Sequence, residues 1–281
     1  ESIAYDGSAK TPSVTVKIGT TTISNTNYTV AYSNNKNVGT ATVTVTGKAN
    51  LTGSASKTFT INKANSSFTF ANKTVDYDGT AKTITATNVV GGTITYSTSE
   101  TGTYSSTAVS YTNAGTYTIW ARLTGDSNHN DLVKSAVLTI NRKGIAVPTA
   151  VSGLIYNGSS QTGVSAGTGY TVTNGSATNA GDYTATVTPT SNYKWSTDNT
   201  TTAKTIAWSI AKFNLQNASI AAVADQTYTG SAITPTPAVT VVLKTGGTST
   251  TLSSSTDFTY SYSGNTNVGQ ATITITGKGN Y

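Results

Sequence analysis

The chain offers few groups able to do covalent chemistry. His129 is the single histidine among 281 residues and there is no cysteine, so neither a Ser/His/Asp nor a Cys/His arrangement has a partner set. Paired carboxylates fare no better. Asp6 and Asp78 hold the same place in two copies of a short pattern, and Asn157 and Thr229 replace them in two more, which is how a turn residue behaves. Asp126, Asn128, Asn130 and Asp131 offer oxygen ligands at alternate positions, as a calcium loop does. The glycine of the sharp turn and the bidentate Glu are missing, so the segment reads as a polar loop. No catalytic residue, cofactor or metal site is expected.

What remains is stacking. Trp120, Trp195 and Trp208, with tyrosines such as Tyr104, Tyr111, Tyr170 and Tyr193, could include platforms for sugar rings, although aromatics at strand period are more often core. Tyr193 and Trp195 are the candidate ligand-binding residues. They flank Lys194 in a Thr, Ser and Asn-rich loop that the rest of the chain does not share, and loops are where binding modules vary.

Any such groups must be positioned by strands. The stretch from Asn37 to Gly47 (Asn-Val-Gly-Thr-Ala-Thr-Val-Thr-Val-Thr-Gly) returns from Asn113, from Asn179 and from Asn267. Asn and Gly supply turn geometry, and Val43, Val45, Ile273 and Ile275 alternate with threonines at the strand period of two. A second marker precedes each copy: Tyr5-Asp6-Gly7, Tyr77-Asp78-Gly79, Tyr156-Asn157-Gly158 and Tyr228-Thr229-Gly230, read as a tight turn after a first strand. A third closes the first three, at Phe59–Lys63, Leu138–Arg142 and Trp208–Lys212. Between marker and organising strand, Thr11 to Val16 reads as a strand with Pro12 at its start, and Tyr28 to Tyr32 as one with its large residues inward.

Three landmarks in one order define four repeats, at 1–63, 64–142, 143–212 and 213–281. The first is expected to lack its first strand and the last its closing strand, leaving open edges for contacts with neighbouring chains. Six or seven short strands per repeat, with no room for crossovers, predict an all-β chain of four tandem small antiparallel Ig-like sandwiches. Short junctions such as Ile61-Asn62-Lys63-Ala64 predict neighbours that do not swing freely, hence an extended rod. Each domain would bury about 60% of its unfolded surface, and with no cysteine neither disulfides nor thiolate metal sites assist.

Net charge is +6 with a pI near 9.3, yet charged residues make up only 10% of the chain and the lysines are scattered, which argues against a nucleic-acid partner. No stretch approaches the ~20 apolar residues of a membrane helix.

The Tyr-Asp-Gly turn, the stretch Asn37–Lys48 with its near-copy at 267–278, Gly115-Thr116-Tyr117-Thr118 with Thr124–Asn128, and the Thr60-Ile61-Asn62-Lys63 ending resemble the MBG/YDG-type Ig-like repeats of bacterial surface proteins. The resemblance covers essentially the whole chain. It implies a secreted or wall-anchored bacterial protein in which such modules form the stalk or binding arm of an adhesin, and it supplies no catalytic residues. The expected function is a structural spacer, monomeric and partnered by flanking repeats of the same polypeptide. The alternative is an arm that binds a host or environmental glycan or protein through loops of the second or third repeat. The third repeat, with its short middle and Tyr193-Lys194-Trp195, departs most from the pattern.

Overall fold

The Tyr-x-Gly marker sets the first piece of local structure. In every copy the residue after the tyrosine accepts from the backbone N–H two positions on. Asp6 accepts from Ser8 at 2.9 Å, Asp78 from Thr80 at 2.8 Å, Asn157 from Ser159 at 3.0 Å, and Thr229 Oγ1 from Ser231 at 3.4 Å. Gly7, Gly79, Gly158 and Gly230 follow at φ of +84°, +83°, +73° and +74°, a conformation that lacks a Cβ penalty only for glycine.

The computed structural model describes residues 2–244 and 247–281. It is all-β, with two three-residue 3-10 turns, Asn25–Asn27 and Leu215–Asn217, as the only helical pieces among the described residues. The chain divides into two compact units, Glu1–Arg142 and Lys143–Tyr281. The repeat boundary at 142/143 separates the units, and those at 63/64 and 212/213 lie inside them.

In the first unit, the first repeat builds a four-stranded sheet in the order Ser2–Ala4, Ser54–Asn62, Gly39–Gly47, Tyr28–Ser33. The organising strand lies inside it, paired from Gly39↔Ile61 to Thr46↔Ser54 on one side and from Tyr28↔Gly47 to Ser33↔Thr42 on the other. Ala41, Phe59 and Ile61 form the core beneath, with Ile3, Tyr5, Tyr32 and Val38 against them. The second repeat repeats the plan with Gly92–Ser97, Gly115–Gly125, Leu132–Asn141 and Lys73–Asp76. Strict alternation along Gly115–Gly125 sends Ile119, Ala121 and Leu123 inward. Opposite them stand two small pairs, Ser67–Thr69 with Thr87–Val90 and Lys82–Thr83 with Ser110–Tyr111, so the core is closed between two layers.

In the second unit, Gly181–Pro189 is the central strand between Tyr170–Thr173 and Lys204–Ile210, over a core of Val164, Ala185, Val187, Trp195, Trp208 and Ile210. The fourth repeat pairs Ser219–Ile220, Val239–Val241 and Thr250–Thr251 in one sheet and Phe258–Ser263 with Thr272–Gly277 in another. Among the described residues Thr272–Gly277 has a ladder on one side only.

Two expectations are corrected. The pairing is not all antiparallel: the strand before Tyr-x-Gly runs parallel with the closing strand, Ser2–Ala4 beside Thr60–Asn62 and Lys73–Asp76 beside Leu138–Asn141, with a parallel bridge Ile155↔Ala211 in the third repeat. Ser2–Ala4 is thus the counterpart of Lys73–Asp76, and among the described residues the first repeat has no counterpart of Ser67–Thr69, with which the second begins. Strand direction leaves no mark on hydrophobic period, which is why an all-antiparallel reading was available. Finally, 11–16 forms no ladder although its exposure alternates; Tyr32 OH holds it instead, donating to the Pro12 carbonyl at 2.5 Å, and Tyr28 rather than Val30 is the buried residue of the facing strand.

The fourth Tyr-x-Gly turn is the weakest of the set, because a threonine hydroxyl reaches its N–H less closely than a carboxylate or amide. Thr229→Asp is expected to raise the stability of the second unit by about 0.5–1 kcal/mol, read as a higher urea midpoint at unchanged slope; an unchanged or lower midpoint would contradict this account of the turn.

Candidate functional site

The segment singled out for stacking is a strand, not a variable loop. Tyr193–Trp195 pairs parallel with Lys143–Ile145, and Trp195 is 0% exposed within the core of the third repeat. Its indole Nε1–H donates to the Thr202 carbonyl at 2.8 Å, and the ring lies 6.0 Å from that of Tyr170. Burial of this kind removes the indole face from any ligand, which corrects the placement of Trp195; Tyr193 is half-buried, its ring covering Gly169. Sequence reasoning missed this because a Thr, Ser and Asn-rich context looks solvated whether or not one large apolar residue in it points inward.

The turn beyond is pinned rather than open. Trp195 N–H donates to the Thr200 carbonyl at 2.8 Å and Asn199 N–H returns to the Trp195 carbonyl at 2.9 Å. Asp198 accepts from Thr200 N–H at 3.0 Å and from Lys204 Nζ at 2.6 Å. The Lys204 ammonium, followed by the Thr200 donors, lowers the Asp198 carboxyl from its usual 3.8 to about 2. Elsewhere the aromatics pack on one another: Trp208 is buried and stacks with Tyr183 at 4.7 Å, and Tyr111 stacks with Tyr117 at 3.8 Å.

The polar loop at Asp126–Asp131 has a different task. Asp126 Oδ1 accepts from Asn128 N–H at 2.8 Å and lies 2.7 Å from His129 Nδ1, and the His129 hydrogen bond is the main reason its carboxyl sits below the usual range. Asp131 Oδ1 accepts from Gly125 N–H at 2.8 Å. The loop so shaped reaches into the first repeat. Asn128 Oδ1 accepts from the backbone N–H of Val38 at 2.9 Å, and its Nδ2 donates to Asn37 Oδ1 at 3.4 Å. His129 meets the ring of Tyr5 edge-on at 5.4 Å. The linker is threaded between, with Ala64 N–H donating to the Asn128 carbonyl and Asn130 N–H to the Ala64 carbonyl, both at 2.9 Å.

The second unit builds the same joint from Gly277-Lys278-Gly279-Asn280-Tyr281. Asn280 Oδ1 accepts from Ala180 N–H at 2.7 Å and its Nδ2 donates to Asn179 Oδ1 at 3.1 Å. Tyr281 meets Tyr156 edge-on at 5.4 Å, and Phe213 N–H donates to the Asn280 carbonyl at 2.9 Å. Burial pushes the Tyr281 hydroxyl up to about 12, with the neighbouring Tyr156 adding to the effect. Lys244 Nζ, 2.6 Å from Ser159 Oγ, braces the same side. The candidate functional site is therefore a joint, in which a Gly-x-x-Asn turn of one repeat enters the concavity between the Tyr-x-Gly and Asn-x-Gly turns of the repeat before it.

The turn was legible and was passed over. An asparagine stands 11, 13, 11 and 11 residues after Gly39, Gly115, Gly181 and Gly269, at Asn50, Asn128, Asn192 and Asn280. That nearly constant offset beyond the organising strand was the available signal.

No protein-family model matches the chain, and neither does any curated protein sequence. Among solved structures the chain is similar to Drosophila N-cadherin EC1-4, at 11% identity over 62% of this chain and 57% of that one, with a TM-score of 0.22. It is similar to the protocadherin gammaB4 extracellular domain at 11% identity over 92% and 55%, with a TM-score of 0.25. A third is the Bacteroides ovatus mixed-linkage glucan utilization locus protein SGBP-B, in complex with a mixed-linkage heptasaccharide, at 15% identity over 79% and 69% and a TM-score of 0.16. The chain spans little more than half the length of the two cadherin structures. At these scores the functional reading rests on the chain's own residues.

Trp195→Ala is expected to destabilise the second unit by about 3–5 kcal/mol, seen in urea unfolding, whereas Tyr193→Ala leaves it folded; a fully stable Trp195→Ala protein would place the indole outside the core. The Asp198 carboxyl should titrate near pH 2 by NMR. Because its folded value lies below the unfolded one, its contribution to stability is complete above about pH 4 and is lost as pH falls through the folded value. Lys204→Ala should move the titration back toward 3.8, and an unmoved midpoint would remove the lysine as its cause.

Proposed function

We propose that the chain is a non-catalytic stalk segment of a large bacterial cell-surface adhesin, built from four tandem Ig-like β-sandwich domains that transmit tension and hold their neighbours in fixed orientation. The observation that carries this reading is the parallel pairing of the strand before Tyr-x-Gly with the closing strand. Ser2–Ala4 runs beside Thr60–Asn62 and Lys73–Asp76 beside Leu138–Asn141. In the first three repeats the tyrosine of Tyr-x-Gly adds a final rung, with Tyr5, Tyr77 and Tyr156 N–H donating to Asn62, Asn141 and Ala211 at 2.9, 2.9 and 2.8 Å.

The geometry has a mechanical meaning. When the strand that leads into Tyr-x-Gly lies parallel and adjacent to the last strand of a domain, tension through the chain pulls the two in opposite directions along their length. The rungs between them are then sheared together instead of being opened one after another. The joints add a second property, because a side-chain amide seated on the preceding repeat resists rotation about the short linker. The alternative of a binding arm loses the exposed aromatic pair on which it stood, since Trp195 lies in the core.

Single-molecule stretching tests the proposal. The chain lacks cysteine, so introduced thiols define the points of attachment. Pulled through Lys73→Cys and Asn141→Cys, at opposite ends of the parallel pair, the protein should unfold at higher force than when pulled through Thr29→Cys and Thr46→Cys, which face each other on adjacent antiparallel strands and peel apart rung by rung. Equal or lower force across the parallel pair would overturn the stalk reading.

A further inference from the structure

Two joints in this molecule show what a repeat offers to the one that follows it. The acceptor consists of the backbone N–H at Val38 or Ala180, the side chain of Asn37 or Asn179 beside it, and the ring of Tyr5 or Tyr156. The insert consists of Asn128 with His129, or Asn280 with Tyr281. The two joints agree in every partner, with the asparagines and the acceptor tyrosine identical and only Val38/Ala180 and His129/Tyr281 differing.

The fourth repeat carries the same acceptor. Asn267, Val268 and Gly269 stand where Asn37, Val38 and Gly39 stand in the first, and Tyr228 stands where Tyr5 does. These residues surround a cavity of about 570 Å³, closed on its inner side by Tyr262 and Pro235. The difference lies in cover: Val268 is 85% exposed and Tyr228 58%, whereas Val38 and Tyr5 are half-buried under the loop seated on them. Gly269 holds φ +139° against +136° at Gly39, so the turn has the acceptor conformation without an insert present.

We infer that the Tyr228/Asn267–Val268 surface of the fourth repeat is a docking site for a Gly-x-x-Asn turn, followed by Tyr or His, presented by a further β-repeat of this type joined in line. Chemistry selects this occupant. A backbone N–H beside an amide carbonyl asks for one acceptor and one donor on a rigid plane about one amide wide, which an asparagine side chain supplies. The tyrosine ring asks for an edge-on aromatic next to it. Among the described residues of this lining Asp225 is the one charged side chain, so no cluster of charge selects an ion.

The inference rests on the docked-repeat part of the proposed function and not on the bearing of tension. The test extends the chain beyond Tyr281 with a copy of its own residues 52–142, which supplies a closing strand and then a repeat carrying the Gly125–His129 turn. Amide hydrogen exchange at Val268 is the readout, with protection of the copied Gly115–Gly125 strand as the check that the added repeat has folded. Exchange at Val268 should slow by at least about tenfold relative to the unextended chain, as a new hydrogen-bonded and covered N–H requires. Asn→Ala at the copied Asn128 position should restore it, while Asn128→Ala in the original loop should speed exchange at Val38 and leave Val268 alone.

A folded added repeat with unchanged exchange at Val268 overturns the inference, and so does slowing that survives loss of the copied asparagine. Slowing in the unextended chain that grows with concentration and disappears with Asn50→Ala would assign the surface to a second copy and overturn the in-line occupant. Should the first extension fail its folding check, a copy of residues 194–281 supplies the Gly277–Tyr281 turn in its place, read in the same way. If Val268 slows as expected while stretching across the Lys73–Asp76/Leu138–Asn141 pair shows no mechanical strength, the docking site stands and the stalk falls.

Discussion

An asparagine side chain sets one acceptor and two donors on a rigid plane, and at Asn128 and Asn280 that plane is laid against a backbone N–H and a second asparagine of the preceding repeat. The organisation of each unit follows from this contact. For the plane to arrive, the acceptor turn must present its N–H outward, which the Asn-x-Gly conformation does. The loop that delivers it must be stiff, which Asp126 secures in the first unit by gripping Asn128 N–H and His129 Nδ1 at once. The residues most often repeated in the chain are thus the two halves of a joint as well as turn formers.

The joint also answers a question of size. Domains near 70 residues have a poor ratio of interior to surface, and the cluster beneath the first repeat's main sheet is only Ala41, Phe59 and Ile61. No disulfide is available to compensate. Seating a neighbour's aromatic on Tyr5 or Tyr156 enlarges the apolar volume each repeat shares in; Tyr156 packs at once against the core of the third repeat and that of the fourth. Compactness therefore appears at the level of pairs, Glu1–Arg142 and Lys143–Tyr281.

Strand existence was plain in the sequence wherever residues alternated in a long run, as along Gly115–Gly125, because burial on one face is a local consequence of period two. The Asx turns were equally plain, down to the weaker fourth copy with Thr229. Two things were not. Parallel pairing of the strand before Tyr-x-Gly with the closing strand joins residues about sixty positions apart, and neither strand carries a local sign of its partner's direction. Trp195 looked like a surface aromatic because its neighbours are polar, yet a three-residue strand needs only one inward position to place an indole in the core. The joint lay between these cases. Its asparagines sit at a regular offset, but an asparagine in a polar turn has so many local uses that only the structure shows this one reaching across to another repeat.

A joint with a distinct insert and a distinct acceptor gives the polypeptide a polarity and a natural unit of duplication. Copying or removing a whole number of periods keeps insert and acceptor matched, as they are at Asn128 on Val38 and at Asn280 on Ala180, whereas any other length separates the two halves. Length is therefore the property such a chain changes most cheaply.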